Sequence, residues 1–226
     1  MYIVGLEYDS LSKDTLNKKG FLLVNKLFAD EAKATMGSLD FTTSSYRFQK
    51  SFKLDNTDKY KVNNYLQKEE FKNFINEVFD NNYIVSNNFF LRIFKKCQGT
   101  LPHADHVYFK QTSPVLTIWV ALKKVSLEMG PLFVLTKDES SVLIDSEYLN
   151  KAIDSNDSTN NTGWEAATVD LAKVNTVYSR NLEPGDTFIF FSDIVHGTLD
   201  ANSNLKRYSL DFRITSKLNY DQRWFS

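Results

Sequence analysis

The stretch Leu101-Pro102-His103-Ala104-Asp105 carries an imidazole and a carboxylate two positions apart. It leads into a run with strand character, where side chains two apart share one side of the backbone, so His103 and Asp105 are expected to reach one ion. A second imidazole, His196, comes from far along the chain. Two histidines and one carboxylate form the facial set that holds non-haem Fe(II) and leaves adjacent coordination positions open. His-x-Asp recurs by chance in any long sequence, so the weight of this reading comes from its surroundings.

Glu183-Pro184-Gly185-Asp186 reads as a tight turn, with Pro second and Gly third, launching the strand Thr187 to Phe191. His196 lies just beyond that strand, 11 positions before Arg207 (207 − 196). From Arg207 the pattern alternates, with Arg207, Ser209, Asp211 and Arg213 on one face and Tyr208, Leu210, Phe212 and Ile214 on the other. The apolar face is expected to pack beneath helices, which turns the polar face inward. An inward arginine is costly unless it meets an anion, and a dicarboxylic cosubstrate supplies one. Guanidinium holds a carboxylate through two parallel hydrogen bonds, and Ser209 on the same face is placed to donate a third.

The elements that must position these groups fall into two parts. In the first 82 residues, a short helix runs from Leu11 to Lys19 and is closed by Gly20, the strand Phe21 to Val24 follows, and Asp30 is expected to cap a helix through Ala34. A further helix spans about Glu69 to Phe79, with Phe71, Phe74, Ile75 and Val78 at helical spacing as a core-facing stripe. After Asp80-Asn81-Asn82 strand signals take over, at 83–85, 89–94, 115–122, 131–135, 174–178, 187–191 and 208–214. Helices first and strands afterwards argue α+β, mainly β. The expected fold is a double-stranded β-helix (jelly roll, cupin-like) with N-terminal helices packed on one sheet. One domain over 1–226 is expected, with 1–82 a mainly helical buttress and 83–216 the double-stranded β-helix core. A polar insertion at about 137–164 interrupts that core. It is read as a helical turn near Glu147 to Ile153 followed by small polar residues, and as either a spacer or a lid over the site.

A chain of 226 residues that is 42% hydrophobic, with 18 Phe, has ample material for such a core. Its 27 basic and 28 acidic residues leave a formal charge of −1, which offers no bulk field for nucleic acid or an anionic membrane surface. Cys97 is the single cysteine and is read as a small buried hydrophobe. No signal peptide or spanning segment is apparent, which sets the expected compartment as cytoplasmic and reads Asn156-Asp157-Ser158 and Asn160-Asn161-Thr162 as ordinary loop polarity rather than glycosylation sites.

Taken together, His103-Ala104-Asp105, Trp119-Val120-Ala121-Leu122, Gly130-Pro131-Leu132, Pro184-Gly185-Asp186, His196 and Arg207 resemble, in order and spacing, the phytanoyl-CoA dioxygenase family of Fe(II)- and 2-oxoglutarate-dependent oxygenases. The resemblance covers roughly residues 83–214 with motifs. It implies His103, Asp105 and His196 as iron ligands and catalytic centre. It also implies Arg207 as anchor of the distal carboxylate of 2-oxoglutarate, with Ser209 as helper. The implied reaction consumes O₂ and 2-oxoglutarate, releases succinate and CO₂, and by default hydroxylates an unactivated carbon, with ascorbate as reductant in vitro. Retention of Asp105 argues against the halogenating relatives, which have a small residue there. The family's usual Asn-Gly-Pro-Leu stands here as Met129-Gly130-Pro131-Leu132, and the Gly-Ser-His that commonly follows is Lys137-Asp138-Glu139-Ser140. Those departures fall near the substrate rather than the metal.

Thr117 and Trp119 share a strand face and are expected to line the pocket, Thr117 toward the cosubstrate and Trp119 toward the substrate. Arg92 and Tyr108 are candidate substrate contacts. Together with Lys95 and Lys110 they are also read as solvated, as charged side chains mostly are. His106 is expected to face away from the metal. The expected substrate is a small polar metabolite or biosynthetic intermediate, with neither nucleic acid nor membrane as partner, and nothing in the sequence sets an oligomeric state. Acyl-CoA, the substrate in the family's name, calls for a basic groove that a near-neutral chain does not suggest. The competing reading is a cupin-like module that binds metal or ligand without oxygenase activity. Arg207 and Ser209 separate the two, because a plain metal-binding module has no need of an inward carboxylate anchor.

Overall fold

The computed structural model describes residues 2–38, 51–56, 63–96, 98–109, 111–144, 169–174 and 176–225. Its first element is β1 (Tyr2–Gly5), an exposed strand that the sequence pattern did not reveal. Helix α1 (Lys13–Lys19) starts at Ser12, whose Oγ accepts from the Thr15 amide at 3.2 Å, and is closed by Gly20 at φ 83°, as expected from the sequence. Strand β2 (Phe21–Val24), buried throughout, leads to α2 (Ala29–Ser38). Asp30 lies inside the first turn of α2 rather than capping it, where an acidic side chain still favours the helix dipole. Beyond β3 (Ser51–Lys53), α3 (Asn64–Gln67) and α4 (Glu69–Val78) precede β4 (Tyr83–Val85) and β5 (Phe90–Phe94).

The remaining strands are β6 (Val115–Ala121), β7 (Leu132–Val134), β8 (Thr176–Ser179), β9 (Thr187–Phe191), β10 (His196–Thr198) and β11 (Arg207–Ser216). Among the described residues they form two sheets. One has the order β2-β9-β6-β11-β5-β3, with β4 also pairing β11; the other has the order β1-β8-β7-β10. All pairings are antiparallel except β1 with β8. Two helices follow from local signals. Helix α5 (Lys137–Leu143) has a capping box in which Thr136 and Glu139 satisfy each other's backbone amides, and α6 (Gln222–Phe225) lies near the C-terminal end. The segment expected as a polar insertion, 137–164, thus opens with a helix that the sequence reading did not include. Residues 145–168, including the expected turn at Glu147 to Ile153 and the lid reading, lie outside the described residues.

Strand alternation splits the core into layers. On one face of the larger sheet, Leu22, Leu91, Leu116, Ile118, Val120, Ile189, Leu210, Phe212 and Ile214 pack against Leu16 of α1, Tyr65 of α3, and Phe71, Phe74 and Ile75 of α4. On its other face, Phe21, Leu23, Trp119, Phe188 and Phe190 meet Leu132 and Val134 of the smaller sheet. This is the expected α+β double sheet with helices on one sheet.

Phe212 ties the outer layer together: its ring stacks on Phe89 at 5.1 Å between centroids and meets Phe71 edge-on at 6.5 Å. Truncating a fully buried Phe leaves a cavity, so Phe212→Ala should destabilise the fold by about 3–5 kcal/mol in urea unfolding. A change below about 1 kcal/mol would mean the helices do not depend on this contact.

The turn before β9 shows why a Pro-Gly-Asp motif serves this fold. The Asp186 amide donates to Glu183 O at 3.0 Å, and Gly185 takes φ 88°, as the third residue of a type II turn requires. A Cβ on Gly185 would meet the Ala29 nitrogen at 2.4 Å. Asp186, fully buried, accepts from the Lys26 and Glu183 amides, both at 2.8 Å, and from the Tyr8 hydroxyl at 2.6 Å. The motif therefore clamps the start of β9 to the β2–α2 connection, and the strand that leads toward His196 is fixed in register.

Candidate metal and cosubstrate site

His103 and His196 face each other directly. The amide of each donates to the carbonyl of the other at 2.9 Å, an antiparallel bridge that sets the two rings side by side with centroids 4.3 Å apart. His196 opens β10, which pairs with β7, and the preceding residue Val195 donates its amide to Ser140 Oγ of α5 at 3.0 Å. The alternation argument for Asp105 holds in outcome but not in detail. Ala104 is extended, but Asp105 begins a 3-10 turn, Asp105–Tyr108, pinned by the His106 amide on Ser192 O at 2.8 Å.

One Asp105 oxygen, Oδ1, lies 3.3 Å from His103 Nε2 and 3.7 Å from His196 Nε2. Ligand atoms of all three residues fall within 4.8 Å of one another, in a pocket where all three residues are buried. Among the described residues this is the one trio of His, Cys, Asp or Glu so arranged. His103 Nδ1 faces Leu101 O at 2.7 Å and His196 Nδ1 faces Ile194 O at 2.9 Å. A ring nitrogen against a carbonyl carries the proton, so both rings keep the Nε2 lone pair toward Asp105. Burial, helped by neighbouring His103 and opposed by Asp105, pushes His196 down to about 3, so its imidazole is neutral at physiological pH. Burial works against ionisation of Asp105, but Arg213 and the two imidazoles outweigh it and hold the carboxyl well below its usual range. Asp105 Oδ1, fully enclosed, has no hydrogen-bond partner among the described residues. An orphaned carboxylate oxygen between two imidazole lone pairs is the donor set of a divalent metal such as Fe(II).

Arg207 lines the same cavity and is 1% exposed. Its Nη1 donates to Gly130 O, which explains the Gly-Pro-Leu motif as a support for this side chain, and its guanidinium sits 4.6 Å above the Phe94 ring. Its Nε and Nη2 have no partner among the described residues. Burial, with Arg92 nearby, lowers its pKa to about 9 against the pull of Asp211, so it stays cationic at neutral pH. Ser209, two residues on, is fully buried and its Oγ also lacks a partner among the described residues.

Thr117 lines the cavity and donates to Asp105 Oδ2 at 2.9 Å, and Trp119 lines it one inward position further along β6. Two expectations need correction. Arg92 is not solvated: its side chain is 16% exposed and pairs with Asp211 through Nε and through Nη2, the latter at 3.1 Å. Tyr108 is buried too, its ring 6.4 Å from that of His103. Lys95 is exposed as expected, and His106 stands outside the trio, against Ser192 and Asp193. Cys97 and Lys110 lie outside the described residues. Sequence reasoning placed Asp211 and Arg213 on the inward face but gave them no role. In the fold Arg213 bridges Asp211 and Asp105, with Nη2 to Asp105 Oδ2 at 3.0 Å.

No curated protein matches this chain in a sequence search. Solved structures match across most of it, at identities that bear on the fold alone. HygX from Streptomyces hygroscopicus, with nickel and 2-oxoglutarate bound, superposes with a TM-score of 0.66 at 10% identity over 92% of this chain and 87% of its own. The epimerase SnoN, in complex with Fe³⁺, α-ketoglutarate and nogalamycin RO, gives 0.61 at 16% identity over 90% and 82%. The non-haem monooxygenase ThoJ gives 0.61 at 12% over 92% and 77%. Among the described residues no helix is long and apolar enough to cross a membrane. The profile of the phytanoyl-CoA dioxygenase (PhyH) family matches residues 16–208. With that span and a His-x-Asp…His trio closed around one point, the chain belongs to the phytanoyl-CoA dioxygenase family of 2-oxoglutarate-dependent non-haem iron oxygenases.

Proposed function

We propose that this protein is a dioxygenase that uses Fe(II), O₂ and 2-oxoglutarate to hydroxylate a small polar metabolite or biosynthetic intermediate, releasing succinate and CO₂. One observation carries the reading: the cavity lined by His103 and His196, the imidazoles beside Asp105, is also lined by Arg207, a buried guanidinium with two nitrogens that have no partner among the described residues. A cupin-like binding module would have no use for that arginine, since leaving charged donors unpaired in the interior is costly. A dianionic cosubstrate removes the cost.

In this reading His103, Asp105 and His196 hold the iron, and Arg207 takes the distal carboxylate of 2-oxoglutarate through Nε and Nη2 with Ser209 Oγ as a further donor. Thr117 steadies Asp105 beside the cosubstrate. Bound iron supplies the activation of O₂ and the oxidising power for C–H cleavage, which no side chain provides. The protein's share is geometry. Fixed Nδ1 contacts aim both imidazoles, and Trp119, Leu132 and Phe190 wall the cavity with apolar surface that keeps water from the reacting carbon. Trp119, Arg92 and Tyr108 are the nearest candidates for contact with the substrate. The small-molecule expectation draws support from SnoN, which has nogalamycin RO bound in its solved complex.

Purified protein given Fe(II), ascorbate and 2-oxoglutarate should form succinate slowly without substrate and faster with the right member of a metabolite panel. Iron binding with no succinate under any condition would favour the binding-module reading.

A further inference from the structure

The donor set accounts for one oxygen of Asp105, and the other is held just as firmly. We infer that Arg213, with Thr117, keeps Asp105 a one-oxygen metal ligand and so preserves the coordination position that 2-oxoglutarate and O₂ together require. This rests on the iron reading above.

A carboxylate beside a divalent cation can bind through one oxygen or both. In a six-position shell, two imidazoles and one carboxylate oxygen leave three positions, enough for a chelating 2-oxo acid and for O₂. A chelating aspartate would leave two, which the cosubstrate would fill at the expense of O₂, and its second oxygen would also weaken the metal's pull on an anionic 2-oxo acid. Oδ2 is already committed: it accepts from Thr117 Oγ1 at 2.9 Å and from Arg213 Nη2 at 3.0 Å, one bond for each lone-pair direction. Both donors are buried, Thr117 at 2% exposure and Arg213 at 2%, so water does not compete.

Arg213 is itself fixed. Its Nη1 meets Asp211, and Asp211 is gripped on its other side by Arg92 from the neighbouring strand β5. The alternating chain Asp105–Arg213–Asp211–Arg92 thus anchors the metal carboxylate to two strands of the larger sheet. Arg213 lies opposite Thr117 in the β11–β6 ladder, so the two donors approach Oδ2 from adjacent strands. Asp211 is shared with Arg92, so the charge of Arg213 is balanced only with Asp105 included, and Arg213 Nε has no partner among the described residues. Joining the strands takes only the Asp211 contact; the second, on Asp105, reaches the metal carboxylate. Burial opposes the charge on Arg213, but Asp211 and Asp105 more than compensate and raise its pKa, so it is a permanent cation at this position.

The test uses the whole protein loaded with redox-inert Mn(II), comparing the parent with Arg213→Met, Arg213→Lys and Thr117→Val. Free Mn(II) is read by electron paramagnetic resonance, 2-oxoglutarate affinity by calorimetry, and Asp105 geometry by crystallography of the Mn(II) forms. In Arg213→Met, Mn(II) affinity should stay within about threefold of the parent or tighten, with both Asp105 oxygens on the metal. Its 2-oxoglutarate affinity should fall at least about tenfold, the scale at which groups supporting a ligand act. Arg213→Lys should recover most of that loss, and Thr117→Val should fall between. If Arg213→Met does not fold, Thr117→Val decides. Unchanged 2-oxoglutarate affinity in the Met or Val variant, or Asp105 bound through one oxygen there with parallel losses of Mn(II) and cosubstrate, overturns the inference and leaves a structural role. A parent protein that binds neither Mn(II) nor 2-oxoglutarate overturns the iron reading itself, and this inference with it.

Discussion

Asp105→Ala will abolish succinate formation and weaken Fe(II) binding more than about a hundredfold, beyond the ten- to hundredfold cost of losing a group that merely supports a ligand. Asp105 supplies the only carboxylate of the trio, and its Oδ1 is the atom that both Nε2 lone pairs face. Two imidazoles remain in the variant, a set that binds divalent metal weakly and leaves the site one negative charge short. The substitution also removes one of the two anions flanking Arg213, so some loss of stability is expected as well. Asp105→Asn separates the two effects. It keeps the shape and an oxygen for Thr117 or Arg213 but not the charge, and it should lose metal and turnover while melting closer to the parent in circular dichroism. Measurable turnover in Asp105→Ala at saturating iron would place the reaction centre elsewhere in the chain.

The legible part of this site was the part written in local pattern. Period-two alternation from Arg207 to Ile214 correctly turned Arg207, Ser209, Asp211 and Arg213 inward, because one face of β11 is covered by aromatic residues from α4 and the chain has no other way to bury them. The Phe71–Phe74–Ile75 stripe located α4 for the same reason. His103, Asp105 and His196 were legible as an ordered set, although their meeting depends on one bridge between residues 93 positions apart (196 − 103). The contacts that escaped are those that only register creates. Arg92 lies opposite Ser209 on β11 and reaches Asp211 diagonally, and nothing in the sequence near Arg92 announces that partner. A lone charged residue in a strand pattern therefore read as solvated. Arg213 reaches Asp105 because β11 pairs with β6 and the Asp105 turn lies over Thr117. Helix α5 escapes for a different reason: the Thr136-x-x-Glu139 signature is present, but the polar run further along dominates the pattern, which places a helical turn only near Glu147 to Ile153. Strands β1 and β10, of four and three residues, are too short to show a period.

Arg207→Leu should raise the concentration of 2-oxoglutarate needed for half-saturation by about a hundred- to ten-thousandfold while leaving Fe(II) affinity nearly unchanged. Two charge-assisted hydrogen bonds of about 1.5–3 kcal/mol each are removed, and every 1.4 kcal/mol is tenfold. The same substitution has an opposite effect on the protein without cosubstrate. Arg207 is 1% exposed, holds a charge that burial disfavours, and satisfies one of its donors on Gly130 O while Nε and Nη2 have none. Leucine fills much of that space without desolvating a cation, so the apo variant should melt at or above the parent temperature, as buried charges replaced by apolar side chains often do. Added 2-oxoglutarate with Mn(II) should then raise the melting temperature of the parent and leave the variant unmoved at the same concentration. A residue kept for stability shows the reverse: a lower apo melting temperature with cosubstrate stabilisation intact. An arginine kept for a dianion weakens the empty protein in order to hold the filled one, and the two melting curves, each with and without 2-oxoglutarate, separate the cases.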